Sequence, residues 1–165
     1  MKETTSENLK KSFAGEAQAN RKYLAFSKKA EDEGLSQVAK FFRAAADSET
    51  VHALSHLRNI GDVKSTKENL EAAIAGEDYE FNSMYPSMIN QADVDQETSA
   101  KMSFTYASAV EKEHSDIFKK ALSSMKDFAE DDYYICQGCG HVHLNEAPEK
   151  CPVCGAPSSR FKKVD

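Results

Sequence analysis

The chain has 165 residues, 40% hydrophobic and 29% charged, with a net charge of −6 and an isoelectric point near 5.4. That balance reads as a soluble globular protein and not a disordered one. It shows no basic patch of the kind that binds nucleic acid, and no apolar run approaches the roughly 20 residues a membrane span needs. The first residues, MKETTSENLKK, lack the apolar segment of a signal peptide, so the expected location is the cytoplasm.

Four helices are predicted in chain order. The first covers about Ser6 to Glu33 and stops at Gly34, and the second covers Ser36 to Ile60 and stops at Gly61. The third starts at Ser65 or Thr66, where a hydroxyl can cap the first turn, and runs to about Gln91, with Pro86 expected to kink it. The fourth runs from about Asp95 to Ala129. Beyond it the composition changes to aromatics, cysteines, glycines and prolines. The reading is a mainly α chain: a four-helix bundle over 1–131, then a small β domain over 132–165.

The helices carry apolar residues at steps of three and four, the mark of a buried face. Helix one reads Leu9, Phe13, Glu16, Asn20, Tyr23 and helix two Val38, Phe42, Ala45, Glu49, His52, His56. Helix three reads Leu70, Ala73, Glu77, Glu80, Met84, and helix four Tyr106 or Ala107, Glu111, His114, Phe118. Each stripe is broken near its centre by glutamate. An unpaired buried carboxylate is costly, and no Lys or Arg occupies these stripes, so the neutralising cation is expected to be a metal. Glu113 falls off the stripe and is expected to face solvent, and His56 reads as a core or supporting histidine.

Glu49/His52 and Glu111/His114 are both Glu-x-x-His pairs, whose members project from one helix face. One Glu-x-x-His alone is weak evidence. Glu16 and Glu77 supply one further carboxylate from each remaining helix, and that is the ligand set of di-iron bundles. Oxygen and nitrogen donors suit iron or manganese and admit zinc. The halves also repeat: Glu16 to Glu49 is 33 residues and Glu77 to Glu111 is 34, with Gly15 and Gly76 before the first glutamate of each half. Tyr23 and Tyr85 follow at similar offsets, either as core aromatics or as hydrogen-bond partners of the ligands.

The four cysteines form two Cys-x-x-Cys pairs, Cys136/Cys139 and Cys151/Cys154. In a reducing compartment such clustering points to a tetrahedral metal site and not to disulfides. Spacing alone leaves iron and zinc open. A domain of this size buries too little core to stand without its metal.

With these motifs on view, Ala14-Gly15-Glu16, Ser48-Glu49-Thr50-Val51-His52, Gly76-Glu77-Asp78-Tyr79-Glu80, Met84-Tyr85-Pro86, Glu111-Lys112-Glu113-His114 and the two cysteine knuckles, the chain resembles the rubrerythrin family over essentially its whole length. The resemblance implies reduction of hydrogen peroxide to water. It implies an oxo- and carboxylate-bridged iron pair, with Glu49 and Glu111 bridging, Glu16 on one iron, and Glu77 with His114 on the other. Glu80 and His52 would exchange as ligands with redox state, and one further iron would sit in the four-cysteine, rubredoxin-like site. Zinc or manganese substitution is admitted. The implied electron donor is a rubredoxin or an NAD(P)H-dependent rubredoxin reductase.

Two expectations concern assembly. Helix four continues roughly 27 Å past Glu111, so the cysteine site is expected far from its own bundle site, with electrons passing between chains of a head-to-tail homodimer. A ferritin-like return from helix two to helix three would have to bridge roughly 35 Å, while residues 62–65 span no more than about 17 Å. That leaves a simple up-down bundle or a dimer exchanging helical hairpins, and the exchanged dimer is the expectation because it keeps the ligand arrangement. Two other functions compete with the peroxidase: an iron-oxidising storage protein, and a non-enzymatic bundle with a zinc ribbon.

Overall fold

A computed structural model describes residues 1–165. The chain divides into two compact units, Met1–Lys64 and Ser65–Asp165.

The first unit is a helical hairpin, α1 (Glu3–Asp32) and α2 (Ser36–Ile60). The predicted bounds of α2 match. Gly34, at φ +76°, makes the reversal, and Gly61, at φ +86°, ends α2 in the left-handed conformation that glycine adopts without strain. The seam between the helices is not the predicted stripe of large residues. It is Ala39, Ala46 and Ala53, spaced by seven and buried together with Ser27 and Ala30 of α1. Small side chains let the backbones approach closely enough for side chains of α1 to reach carbonyls of α2. Ser27 Oγ donates to the Ala39 carbonyl at 3.0 Å, and Asn20 Nδ2 to the Ala46 carbonyl at 2.8 Å. The larger apolar residues flank this seam, and Val38, Phe41, Val51 and Leu54 are exposed.

The second unit opens with a capping box. Ser65 Oγ accepts from the Glu68 N–H, and the Glu68 carboxylate accepts from the Ser65 N–H. Helix α3 (Thr66–Tyr79) passes into a π-helical turn, Glu80–Met84, and on into α4 (Tyr85–Val94). The expected interruption at Pro86 is thus absorbed upstream. The Tyr85 N–H reaches back five residues to the Glu80 carbonyl, and Pro86 sits in the first turn of α4, where its missing N–H costs least. After a reversal at Gln96, φ +60°, α5 (Thr98–Ser124) packs against both α3 and α4.

Helix α5 stops five residues short of its predicted end at Ala129. The hydroxyls of Ser123 and Ser124 both bond the Lys120 carbonyl, competing with the helical ladder. Met125 then takes φ +38°, and a 3-10 turn, Met125–Asp127, follows. Three short antiparallel strands follow, β1 (Tyr133–Cys136), β2 (Val142–Leu144) and β3 (Phe161–Lys163), in the order β2-β1-β3. Tyr134 pairs with His143 on one side and Lys163 on the other. Strand β2 lies along α5.

Candidate metal centres

In the hairpin, Glu16 from α1 and Glu49 and His52 from α2 bring their ligand atoms within 4.8 Å of one another. His52 Nδ1 lies 2.8 Å from Glu49 Oε2. In the second unit, Glu77 from α3 and Glu111 and His114 from α5 form a matching group, with His114 Nδ1 2.8 Å from Glu111 Oε2 and 3.7 Å from Glu77 Oε1. Each triad offers two carboxylates and one imidazole, a donor set that fits iron and other first-row divalent metals. Six of the seven predicted bundle ligands therefore gather as two triads, one inside each unit, and Glu80 joins neither.

The repeat seen in the sequence is a repeat of structure. Both reversals use one left-handed residue, Gly34 or Gln96, and the same bonds. Gly34 and Leu35 N–H reach the Glu31 and Ala30 carbonyls, as Gln96 and Glu97 N–H reach those of Asp93 and Ala92. From that left-handed residue to the Glu of Glu-x-x-His is 15 residues in both halves, while from the first glutamate to the reversal is 18 in one and 19 in the other. The extra residue therefore lies between Glu77 and Gln96, where the π turn takes it up. It moves the tyrosine from seven residues after Glu16 to eight after Glu77. The position three after each first glutamate is Ala19 in one half and Glu80 in the other, so Glu80 opens the π turn and has no counterpart.

Electrostatics follow the geometry. Burial pushes the Glu77 carboxyl up; the Glu111 charge adds to that, and His114 opposes it. Tyr85 is also pushed up, first by burial and then by the charges of Glu111, Glu80 and Glu77. Its ring packs near Phe104. Glu80 stands outside the Glu77 triad but adds to the field on Tyr85. Tyr23 packs with Phe26 and Phe42. A support that the sequence analysis missed is Asp78, which follows Glu77. It accepts from the fully buried Ser115, next to His114, and from Lys119 at 2.9 Å. Those two hydrogen bonds hold its carboxyl below the usual range.

The four cysteine sulfurs lie within 4.8 Å of one another, with Cys136–Cys154 at 3.6 Å and Cys139–Cys151 at 3.5 Å. Those separations are far beyond a disulfide bond. They are close to the edge, about 3.8 Å, of a tetrahedron with metal–sulfur bonds near 2.3 Å. The knuckles repeat each other: Gly140 N–H bonds the Cys136 carbonyl and Gly155 N–H the Cys151 carbonyl, both at 2.9 Å, each glycine at positive φ. Burial opposes the Cys136 thiolate, but the N–H groups of Gly138 and Cys139 and the neighbouring thiols bring its pKa down to about 7. Burial pushes Cys139 up.

Two expectations fail here. Glu113 does not simply face solvent: its side chain is 34% exposed, and its Oε2 lies 2.5 Å from Nδ1 of His141, a buried residue. Nor does the cysteine site lie off the far end of α5. The chain turns back at Met125, and His141, two residues after Cys139, meets Glu113 of α5, next to the ligand His114. Periodicity showed only that Glu113 leaves the ligand face; the signal available for its partner was a histidine directly after the first knuckle.

Family comparison now places the chain among known proteins. The family model described as Rubrerythrin matches residues 7–122, and that described as Rubrerythrin, rubredoxin-like domain matches residues 134–162. Nigerythrin of Nitratidesulfovibrio vulgaris is 32% identical, over 96% of this chain and 85% of its own. Rubrerythrin-2 of Clostridium acetobutylicum is also 32% identical, over 96% and 95% respectively. A solved structure of nigerythrin in its fully reduced, all-ferrous state superposes with a TM-score of 0.59 at 32% identity, covering 97% of this chain and 86% of that one. No helix of the chain is long and apolar enough to cross a membrane.

Proposed function

The chain belongs to the rubrerythrin family, and from that premise we propose that it is a non-haem di-iron peroxidase protecting against oxidative stress. In the proposed reaction hydrogen peroxide takes two electrons and two protons and leaves as two waters. What carries the reading is that one chain holds two carboxylate–histidine triads, the unmatched Glu80 beside Tyr85, and a four-thiol site packed on a ligand-bearing helix. Two irons in the bundle and one in the cysteine site would supply the electrons.

The protein's own groups take distinct parts. Glu49 and Glu111 are assigned as the bridging carboxylates, with Glu16, Glu77, His52 and His114 completing the donor set of the two triads. Glu80, placed at the start of the π turn, is the candidate to exchange with His52. Tyr85, its pKa raised by burial and by three carboxylates, keeps its proton at neutral pH and can donate a hydrogen bond from its hydroxyl into the site. Tyr23 is assigned the corresponding place beside Glu16. Electrons arrive through the cysteine site from a rubredoxin or an NAD(P)H-dependent rubredoxin reductase in the cytoplasm.

The working form is a homodimer that exchanges hairpins. The link between α2 and α3 is only Gly61–Ser65. A two-helix hairpin whose buried residues are Ser27 and four alanines has too little core to stand alone, and its exposed Phe41, Val51 and Leu54 suit burial against a second copy. The test is metal content with visible spectra. Three irons per chain, and reduced protein reoxidised faster by peroxide than by oxygen, are expected. Faster reoxidation by oxygen, or a mineral core beyond three irons, would return the function to iron oxidation and storage.

A further inference from the structure

We propose that Glu113 and His141 form a clasp that holds the four-cysteine site against the ligand-bearing helix of its own chain, making Cys139–Gly140–His141 the point from which electrons pass to the bundle. The inference rests on the proposed electron feed for its purpose, though not for its geometry.

The geometry is local and specific. Glu113 Oε2 meets His141 Nδ1 at 2.5 Å, and His141 Nε2 lies 3.2 Å from His143 Nδ1. The His141 ring stands edge-on to Phe161 at 6.3 Å between centroids and is 6% exposed. Its backbone N–H faces the sulfur of Cys139 and favours the thiolate there. One residue back, a Cβ on Gly140 would stand 3.8 Å from Cγ1 of Val110, and Val110 is 2% exposed. Glu113 and Val110 each precede a ligand, His114 and Glu111 respectively. Thus Cys139 is linked to the ligand His114 through the covalent neighbours Gly140 and His141, one hydrogen bond to Glu113, and the next residue along α5.

The rest of the junction is not a filled core. A cavity of about 540 Å³ separates Ile117 and Phe118 of α5 from Ile135 and Val142 of the sheet and reaches the ligands Glu77 and His114. Apolar surfaces that do not close on each other give little attraction and no fixed register. The clasp therefore sets where the sheet sits along α5. A part-buried polar pair adds little net stability, so its value here is placement: sliding the sheet along α5 would leave the buried imidazole without its carboxylate.

The test uses the full-length, iron-loaded protein. Glu113→Ala is compared with Glu113→Gln, which keeps an acceptor at the same reach. In Glu113→Ala, amide hydrogen exchange over His141–Leu144 should rise at least tenfold, while the visible spectrum of the four-cysteine iron stays unchanged. On mixing reduced protein with peroxide, the colour of that iron should return at least tenfold more slowly. Glu113→Gln should restore a large part of both. Should Glu113→Ala lose iron or fail to fold, His141→Phe carries the same two readouts, since it keeps the ring against Phe161 and removes only the nitrogens. Wild-type exchange in Glu113→Ala, or slowed colour return without a rise in exchange, overturns the clasp. If peroxide never restores colour in the wild type, the proposed function falls instead, and the exchange measurement alone decides the clasp.

Discussion

Hairpin exchange makes a quantitative prediction that a chain completing its own site does not. From Glu49 to the end of α2 at Ile60, and from the start of α3 at Thr66 to Glu77, are each eleven residues, about 17 Å of rise apiece. A ferritin-like return along the bundle must therefore cross about 33 Å. The steps from Ile60 to Thr66 reach at most about 22 Å, a shortfall of about 11 Å that no side-chain adjustment can supply. Now let one chain carry Glu16→Ala and Glu49→Ala, and a second carry Glu77→Ala and Glu111→Ala, co-expressed in equal amounts. Random pairing makes about half the dimers mixed. In a mixed dimer with exchanged hairpins, one of its two sites joins the intact hairpin of one chain to the intact α3–α5 half of the other. About one quarter of the wild-type bundle iron, and of peroxide turnover, should return. Each variant expressed alone should show neither, while the four-cysteine iron remains in all of them as an internal standard. Return of no bundle iron in co-expressed protein that is demonstrably dimeric would refute the exchange.

Other expectations concern single groups. Glu80→Ala should slow peroxide turnover at least tenfold in stopped-flow while leaving the cysteine-iron spectrum unchanged; wild-type turnover would remove Glu80 from the mechanism. Deleting Ser83, an exposed residue of the π turn, should convert the turn to regular helix with α5 and iron content preserved. Peroxide turnover should then fall as in Glu80→Ala, because Glu80 loses its placement. The raised pKa of Glu77 means that the folded, metal-free protein holds this proton more tightly than the unfolded chain. That contribution favours folding near the unfolded value of 4.5 and is lost as pH rises through the raised value, whereas iron binding expels the proton. Thermal melts should therefore show iron-conferred stabilisation shrinking as pH falls through that window, and calorimetry should show proton release on loading. Gly138→Ala places a Cβ 3.3 Å from Cys154 Sγ and 3.6 Å from Cys136 Sγ, tight enough to cost about 1–3 kcal/mol by overpacking. The cysteine iron should become measurably easier to extract with chelator, and unaltered extraction would show that the knuckle gives way freely.

Much of this architecture was legible because its ligands obey helical spacing. Glu49/His52 and Glu111/His114 share a face at any helix phase, and Gly34 and Gly61 mark ends that the structure keeps. The α1–α2 seam was not legible for a physical reason. Period analysis weights large side chains, whereas two backbones approach closest where side chains are smallest, so Ala39, Ala46 and Ala53 carried no signal beside Val38 and Phe42. The end of α5 was missed because the serines that stop it act through hydroxyl bonds to a backbone carbonyl, a competition that apolar spacing does not register. Glu113 was assigned to solvent by correct periodicity and a wrong inference. A position opposite the ligand face is exposed only if nothing else covers that face, and here the cysteine domain does.

The one-residue difference between the halves also says where a symmetric scaffold becomes chemically directional. A duplicated hairpin with identical ligands would hold two equivalent metals, and neither would have reason to change its ligands first. The reversals share their paired backbone bonds, and the segments from them to Glu49 and Glu111 have the same length, so they do not set the two positions apart. The difference is concentrated in one turn: an extra residue taken up as π helix, and a glutamate at its start where the other half has Ala19. A π turn costs hydrogen-bond geometry and persists when something else is gained by it. Here it adds a further carboxylate, Glu80, and a tyrosine with raised pKa beside the Glu77 triad. That triad is also the one whose helix is touched by the cysteine domain, at Val110 and Glu113. The added carboxylate and the proposed point of electron entry therefore belong to the same half of the repeat, while the hairpin half contributes Glu16, Glu49 and the His52 with which Glu80 would exchange.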